Sequence, residues 1–439
     1  MKGWTSLLPG RLKERPLVKS ILANSGWLIA GRCFNMALQV GVGIWVARYL
    51  GPEKLGVLAF ALALISLARP LAGLGLGGIL PRNLVQEPAR CDEFMGSSFS
   101  LRALAGILCL PLVVGAAFLL RPEDEAMPWL VAVVAVSLAL RPFDVVEKFF
   151  QSEVQSKHAV VAKSTGYTLA SCFRVGMILT GAPLICFAWA VPVEMVLMSL
   201  GLIVAYLLYG RSPLAWRFST RAAREMLRDG WPLVFSGLVI MVYARIDQVM
   251  LAEMATDREV GFYAIAVRIT EMWVFVPGAI VASSLAGIVE AKKTSEALFY
   301  ERLQKLYNTV TFLGYAVAIP LTVAGPWLVP LVFGREYAEA GPMLSVLAWS
   351  SLLTGLGIAR SSFLRTMNWT KVHLFTVMLG GAANLSLNWL LIPHYGGMGA
   401  AVATLASYWL AAHGSCFFYK PLHRTGMMLT KSLLWPKVW

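Results

Sequence analysis

Arginine recurs in this chain inside long apolar stretches. Arg32, Arg69, Arg102, Arg141, Arg174, Arg245 and Arg268 each stand within or at the edge of one, and Lys163 lies near the start of another. Carboxylates in comparable positions are fewer: Asp144, Asp247, Glu271 and Glu194. A guanidinium is always charged, and its planar fork matches phosphate or carboxylate oxygens two at a time. An excess of such groups at depth favours an anionic ligand, whereas a lone deep carboxylate suits a cation or a proton. Arg141–Asp144 and Arg268–Glu271 are three residues apart, a spacing that lets helix neighbours neutralise one another. Arg32, Arg69 and Arg174 are then the uncompensated cations of the first half.

Helical geometry groups these side chains. At 100° per residue, Ser25, Arg32, Asn35 and Gln39 fall in one arc, and so do Lys163, Tyr167, Ser171 and Arg174. Ser236, Tyr243 and Asp247 align on a third helix with Arg245 opposite them, and Asn384 and Asn388 share a face of a fourth. The expected ligand-contacting set is therefore Arg32, Asn35, Arg69, Lys163, Arg174 and Arg268, with Asp247 as the candidate for ion coupling. Arg102, Arg141 and Arg245 equally suit snorkelling or carbonyl capping. Five histidines and six cysteines are scattered without metal-ligand or disulfide spacing. No catalytic or metal-binding residues are expected.

The elements that must position these groups are membrane helices. Of 439 residues, 58% are hydrophobic and only 14% charged, with mean hydropathy +0.66. Soluble domains carry about 25% charged residues. Apolar stretches near 20–47, 55–79, 98–120, 128–149, 159–180, 185–209, 232–254, 259–289, 303–323, 340–361, 371–392 and 396–418 are long enough to cross about 30 Å of hydrocarbon. An all-α polytopic protein of about twelve transmembrane helices follows. Lys and Arg alternate between rich and poor connections all along this series, which places both termini in the cytoplasm. The net charge of +14 arises in the inner connections, so no nucleic-acid partner is needed to explain it. The first stretch is too long for a signal peptide and reads as a helix.

The longest inner connection divides the chain. The expected layout is a cytoplasmic N-terminal segment (1–19), a six-helix lobe (20–210), an amphipathic linker helix on the inner leaflet (211–230), a second six-helix lobe (231–419) and a cytoplasmic tail (420–439). Arg217, Arg221, Arg224 and Arg228 share one face of the linker, and Leu214, Phe218, Ala222 and Met226 line another. A weak internal repeat supports the division. Gly26-Trp27 corresponds to Gly230-Trp231, and Gly56-Val57-Leu58-Ala59-Phe60-Ala61 corresponds to Gly261-Phe262-Tyr263-Ala264-Ile265-Ala266. Pro70, Gly73 and Gly75 give helix 2 a place to bend.

Three segments carry a family resemblance. They are Ala47-Arg48-Tyr49-Leu50-Gly51-Pro52-Glu53-Lys54-Leu55-Gly56; then Arg245-Ile246-Asp247-Gln248-Val249-Met250-Leu251 with Glu259-Val260-Gly261-Phe262-Tyr263 and Ala266-Val267-Arg268; and Asn384, Asn388, Pro393 with Gly399-Ala400-Ala401-Val402-Ala403-Thr404. In order and topology the chain resembles the Wzx-type polysaccharide flippases of the MOP exporter superfamily, which move O-antigen and exopolysaccharide repeat units. The resemblance implies a MOP/MATE-like fold, with two six-helix lobes around a central cavity, in the bacterial inner membrane. It implies an undecaprenyl-diphosphate-linked oligosaccharide as substrate, alternating access, cavity arginines on the diphosphate, and a polysaccharide polymerase and chain-length regulator as partners. No cofactor is implied, and H+ or Na+ coupling stays open. The competing reading is a MATE-type drug or metabolite exporter, whose cavity should be rich in carboxylates. An enzyme is disfavoured, because no outer connection gathers an acid, a base and a nucleophile.

Overall fold

The computed structural model describes residues 16–367 and 369–437. Residues 1–15 of the expected N-terminal segment lie outside the described residues. Every regular element among the described residues is helical. In chain order the α-helices are α1 (Pro16–Gly73), α2 (Leu76–Gln86), α3 (Cys91–Leu120), α4 (Ala126–Leu140), α5 (Val145–Ser152), α6 (Ser156–Leu179) and α7 (Leu184–Leu208). They continue with α8 (Thr220–Met254), α9 (Asp257–Trp273), α10 (Phe275–Thr294), α11 (Glu296–Phe333), α12 (Ala340–Thr366), α13 (Thr370–Ala412) and α14 (His423–Leu434).

Nine helical stretches among the described residues are long and apolar enough to cross a membrane. Two of them hold an internal break and so supply two crossings each. α1 is interrupted at Gly51 (φ 71°) and α13 at Gly396 (φ 52°). Only glycine adopts such φ values without steric cost. α6 is more polar than the nine, yet its 24 residues exceed the length a crossing needs. The chain is thus a multi-pass membrane protein, and its described helices accommodate the roughly twelve crossings expected. Helix 2 breaks where its Pro and Gly residues pointed: α1 ends at Gly73, Leu74 and Gly75 have positive φ, and α2 begins at Leu76.

The chain divides into two compact units. Unit 1 comprises residues 1–46 and 68–237, and unit 2 comprises residues 47–67 and 238–439. Residues 47–67, on the N-terminal side of the linker, thus group with unit 2, and the first part of α8 groups with unit 1. In unit 1 the core gathers Leu80, Phe94, Met95, Phe149, Phe150 and Tyr206 from α2, α3, α5 and α7. In unit 2 it gathers Leu303, Tyr307, Leu356, Phe363 and Leu429 from α11, α12 and α14.

The linker departs from the expected helix over 211–230. A single 3-10 turn, Pro213–Ala215, precedes extended residues, and α8 starts only at Thr220. From there it runs without a stop into the next crossing. Ala222 and Met226 are fully buried in unit 1, while Leu214 and Phe218 are exposed. The apolar face read from sequence is therefore split, half of it packing into the protein core. Ser97 Oγ donates to Ser219 O and accepts from Ser219 N, fixing the start of α8.

Half of the positions in the Ala47–Gly56 motif have a structural task. Ala47 O accepts from Tyr337 Oη at 2.7 Å, and Arg48 donates to Val332 O and Leu331 O at 2.7 Å each. Those carbonyls end α11, where a cation also offsets the negative pole of the helix. Gly51 turns the chain, and Pro52 opens the next helix with its φ already set. A Cβ on Gly56 would run into Asp257 O, and one on Gly261 would run into Pro52 O. The two repeat glycines thus sit at one reciprocal crossing, each packed against the turn that precedes the other.

Candidate functional site

Unit 1 holds a chain of charges along its helices. Arg102 on α3 is 8% exposed, donates to Arg141 O at 3.4 Å and approaches Asp144 Oδ2 at 3.9 Å. Lys163 on α6 meets Glu147 Oε2 at 2.8 Å. Gln151 Nε2 donates to the other Glu147 oxygen at 3.1 Å, and Lys148 Nζ donates to Gln151 Oε1 at 3.1 Å. Further along α6, Arg174 forms an ion pair with Glu194 of α7 and lies 6.0 Å from the Tyr167 ring centroid. A partly desolvated pair of this kind is held mainly by the cost of separating it.

One expectation from sequence is corrected. Arg174 is not an uncompensated cation, since Glu194 reaches it from the neighbouring helix. Glu271, expected beside Arg268, meets Arg245 of α8 at 2.9 Å. Side chains three apart share a helix face, but a facing helix can present a partner head-on. The same holds for Asp144, which faces Arg102.

Arg32 and Arg69 are exposed on α1, and Arg268 is exposed on α9. Asn35 is half-buried, and its Oδ1 has no hydrogen-bond partner among the described residues. The structure thus links Lys163 and Arg174 to acids within unit 1, and puts Arg32 and Arg69 on exposed positions before and after the Gly51 break of α1.

Unit 2 holds a buried polar cluster around Asp247, which is 4% exposed. Tyr263 of α9 donates to Asp247 Oδ2, Gln248 N donates to Oδ1 at 2.8 Å, and Thr404 of α13 donates to Oδ2 at 3.4 Å. Ser407 Oγ donates to Thr404 O at 3.1 Å and accepts from Asn384 Nδ2 at 3.2 Å. Asn388 Nδ2 in turn donates to Asn384 Oδ1 at 3.0 Å, and Asn388 Oδ1 has no hydrogen-bond partner among the described residues. Asn384, Asn388 and Ser407 are all fully buried. A deep carboxylate thus lies in one hydrogen-bonded chain with hydroxyl and amide oxygens, a hard donor set for a small cation or a proton.

The profile of the family described as "Polysaccharide biosynthesis protein" matches residues 21–286, more than half of the chain. The chain belongs to this polysaccharide biosynthesis family. Among its relatives is the "Probable low-salt glycan biosynthesis flippase" of Haloferax volcanii, 23% identical, with 87% of this chain and 79% of the relative aligned. Another is the capsular polysaccharide biosynthesis protein CapF of Staphylococcus aureus, 26% identical over 43% of this chain and 48% of CapF. Among solved structures, an inward-facing multidrug resistance MATE family transporter of the MOP superfamily superposes with a TM-score of 0.74, 17% identity and coverage of 90% and 96% of the two chains. The lipid II flippase MurJ, in an inward closed conformation, gives 0.72 at 14% identity, covering 94% and 91%. The fold is that of the MOP superfamily, and the resemblance to its polysaccharide flippases read from sequence holds.

Several residues of this polysaccharide biosynthesis protein escaped the sequence reading. Glu147 was hidden because it falls at the frayed end of the fourth apolar stretch. Arg360, at the end of the apolar stretch 340–361, is 2% exposed. It donates to Ser415 Oγ (2.8 Å), Ala412 O (3.2 Å), Cys416 Sγ (3.3 Å) and Thr376 Oγ1 (2.6 Å), tying α12 to both ends of α13. Tyr263 and Thr404 were seen only as parts of motifs.

The Arg174–Glu194 pair gives a first test. Arg174→Ala should cost about 2–3 kcal/mol by leaving Glu194 without its cation. Adding Glu194→Ala should restore at least half of the loss, read as thermal unfolding of the purified protein. Additive losses would show that the two groups are not coupled.

Proposed function

We propose that this protein translocates undecaprenyl-diphosphate-linked oligosaccharide repeat units from the cytoplasmic to the outer leaflet by alternating access. One observation carries the choice of an anionic substrate. The deep carboxylates Asp144, Glu147, Glu194 and Glu271 each face a cation, respectively Arg102, Lys163, Arg174 and Arg245. Asp247 is enclosed by hydroxyl and amide donors. Arg32, Arg69 and Arg268 are exposed on crossing helices, where Lys and Arg outnumber Asp and Glu. At membrane depth an exposed guanidinium costs roughly 2.5–3.5 kcal/mol in lipid, so water, protein or ligand must receive it. A diphosphate answers that requirement with several oxygens. The saccharide needs a hydrated path, since stripping hydroxyls of water costs several kcal/mol each.

Asp247, with Thr404 and the uncapped Asn388 Oδ1, is the proposed seat of H+ or Na+ coupling. A bacterial inner-membrane location, cytoplasmic termini, and a polymerase and chain-length regulator as partners belong to the same proposal. Family membership and the relatives' names support it. A drug exporter would present acids to a cationic substrate, and here those acids face protein cations.

The test is deletion of the gene followed by lipid extraction. Lipid-linked repeat units should accumulate on the cytoplasmic side while surface polysaccharide disappears. Unchanged polysaccharide together with greater sensitivity to cationic compounds would instead favour the exporter.

A further inference from the structure

The tail beyond the last crossing is a built part of unit 2. α14 buries Thr425, Gly426, Leu429 and Ser432. Gln304 Nε2 of α11 donates to Met428 O at 3.1 Å and to Ser432 Oγ at 2.8 Å. Asn308 Nδ2 donates to Lys437 O at 2.6 Å, and Tyr315 Oη donates to Leu433 O at 2.7 Å. Three of these bonds reach α14 and one reaches Lys437 just beyond it, fixing an orientation that a solvated tail would not need.

Between α11 and α14 lies a cleft of about 410 Å³ whose walls include Lys305, Arg424, Lys431 and Lys437. One carboxylate, Glu301, shares it and pairs with Lys305 at 2.8 Å. Arg424 lies 3.4 Å from the Tyr300 ring centroid and 3.2 Å from Glu296 Oε1. Lys431 and Lys437 have no ion-pair partner among the described residues. The cleft therefore carries a surplus of positive charge. The same segment exposes Met427 (63%), Leu434 (77%) and Trp435 (64%). Basic groups beside exposed apolar ones, with a Trp among them, suit a helix at a membrane–water interface.

We propose that the cleft between α11 and α14 holds the phosphate head group of an anionic phospholipid, with Arg424 and Lys431 on its oxygens and the exposed apolar residues of the tail against the acyl chains. Free phosphate would satisfy the same cations but would not use the apolar flank. Binding here anchors the tail of unit 2 to the leaflet and does not depend on what the protein transports.

The purified full chain in nanodiscs of phosphatidylcholine doped with phosphatidylglycerol provides the test, read as lipids retained in native mass spectrometry. Each cation on the head group of the bound lipid contributes about five-fold to its retention. Arg424→Gln with Lys431→Gln should thus lower apparent phosphatidylglycerol affinity about 25-fold, and Lys431→Gln alone about five-fold if the double variant does not fold. Lys293→Gln with Lys371→Gln, which removes the same charge outside the cleft, should leave retention near wild type. Equal loss in this control, or no loss in the cleft variants, would overturn the proposal. So would inorganic pyrophosphate binding the cleft more tightly than the lipid does.

Discussion

Gly261→Leu is expected to abolish recovery of folded protein, and Gly56→Leu to do the same. A Cβ at position 261 would meet the Pro52 carbonyl oxygen, and one at 56 would meet the Asp257 carbonyl oxygen. Backbone oxygens cannot rotate away as the end of a side chain can. The turn before Gly56 is also fixed by Tyr337 Oη on Ala47 O and by Arg48 on the last carbonyls of α11. Relief therefore requires separating two helices that bury Phe60, Ala61, Phe262 and Tyr263. Overpacking a core with extra methylenes costs about 1–3 kcal/mol where side chains can yield. With backbone on one side and a leucine added, the loss should approach the whole stability of roughly 5–15 kcal/mol. Gel filtration of the detergent-solubilised variants is the measurement. Gly26→Leu is the control, since nothing lies within 4 Å of a Cβ there. A monodisperse Gly261→Leu protein at wild-type yield would refute the crossing.

Asp247→Asn is expected to leave the fold intact and to remove ion-driven transport, by about 100-fold or more, the loss typical of about 3 kcal/mol. The amide keeps the shape of the side chain, and its oxygen can still accept from Tyr263 and Thr404. What disappears is the charge, and with it any proton or cation the carboxylate would hold. Transport in vesicles with an imposed proton or sodium gradient separates the two roles. A merely structural Asp247 would let Asn pass substrate at the wild-type rate under either gradient. Tyr263→Phe is a milder companion, because it removes a donor to the carboxylate while keeping the ring that packs at the helix crossing.

Much of the fold was legible in the chain because apolar length, charge alternation and Gly/Pro punctuation all report on bilayer crossing. Gly51-Pro52 and Gly396 mark real breaks even though the helices on either side are nearly continuous. α6 remained legible despite its polarity, because its charges keep to one face. The ion pairs were not legible. Arg268 lies three residues from Glu271 in sequence, and only the packing of α8 on α9 brings Arg245 to that carboxylate. Arg360 hid at the end of an apolar run, where a cytoplasmic cation and a buried clamp look alike in sequence. The linker was misread because its apolar positions continue the period of α8, so a surface helix and a helix entering the core share one pattern.

The most direct measurement of the central claim is translocation in proteoliposomes of purified protein. Undecaprenyl-diphosphate oligosaccharide is placed in one leaflet, and its arrival in the other is followed with an enzyme that cannot cross. Wild-type protein is expected to move the lipid, with Arg32→Gln and Arg69→Gln each slowing it about ten-fold, the equivalent of one lost charge-assisted contact of about 1.4 kcal/mol. Transport at the wild-type rate by both variants, with equal amounts of folded protein, would contradict the account.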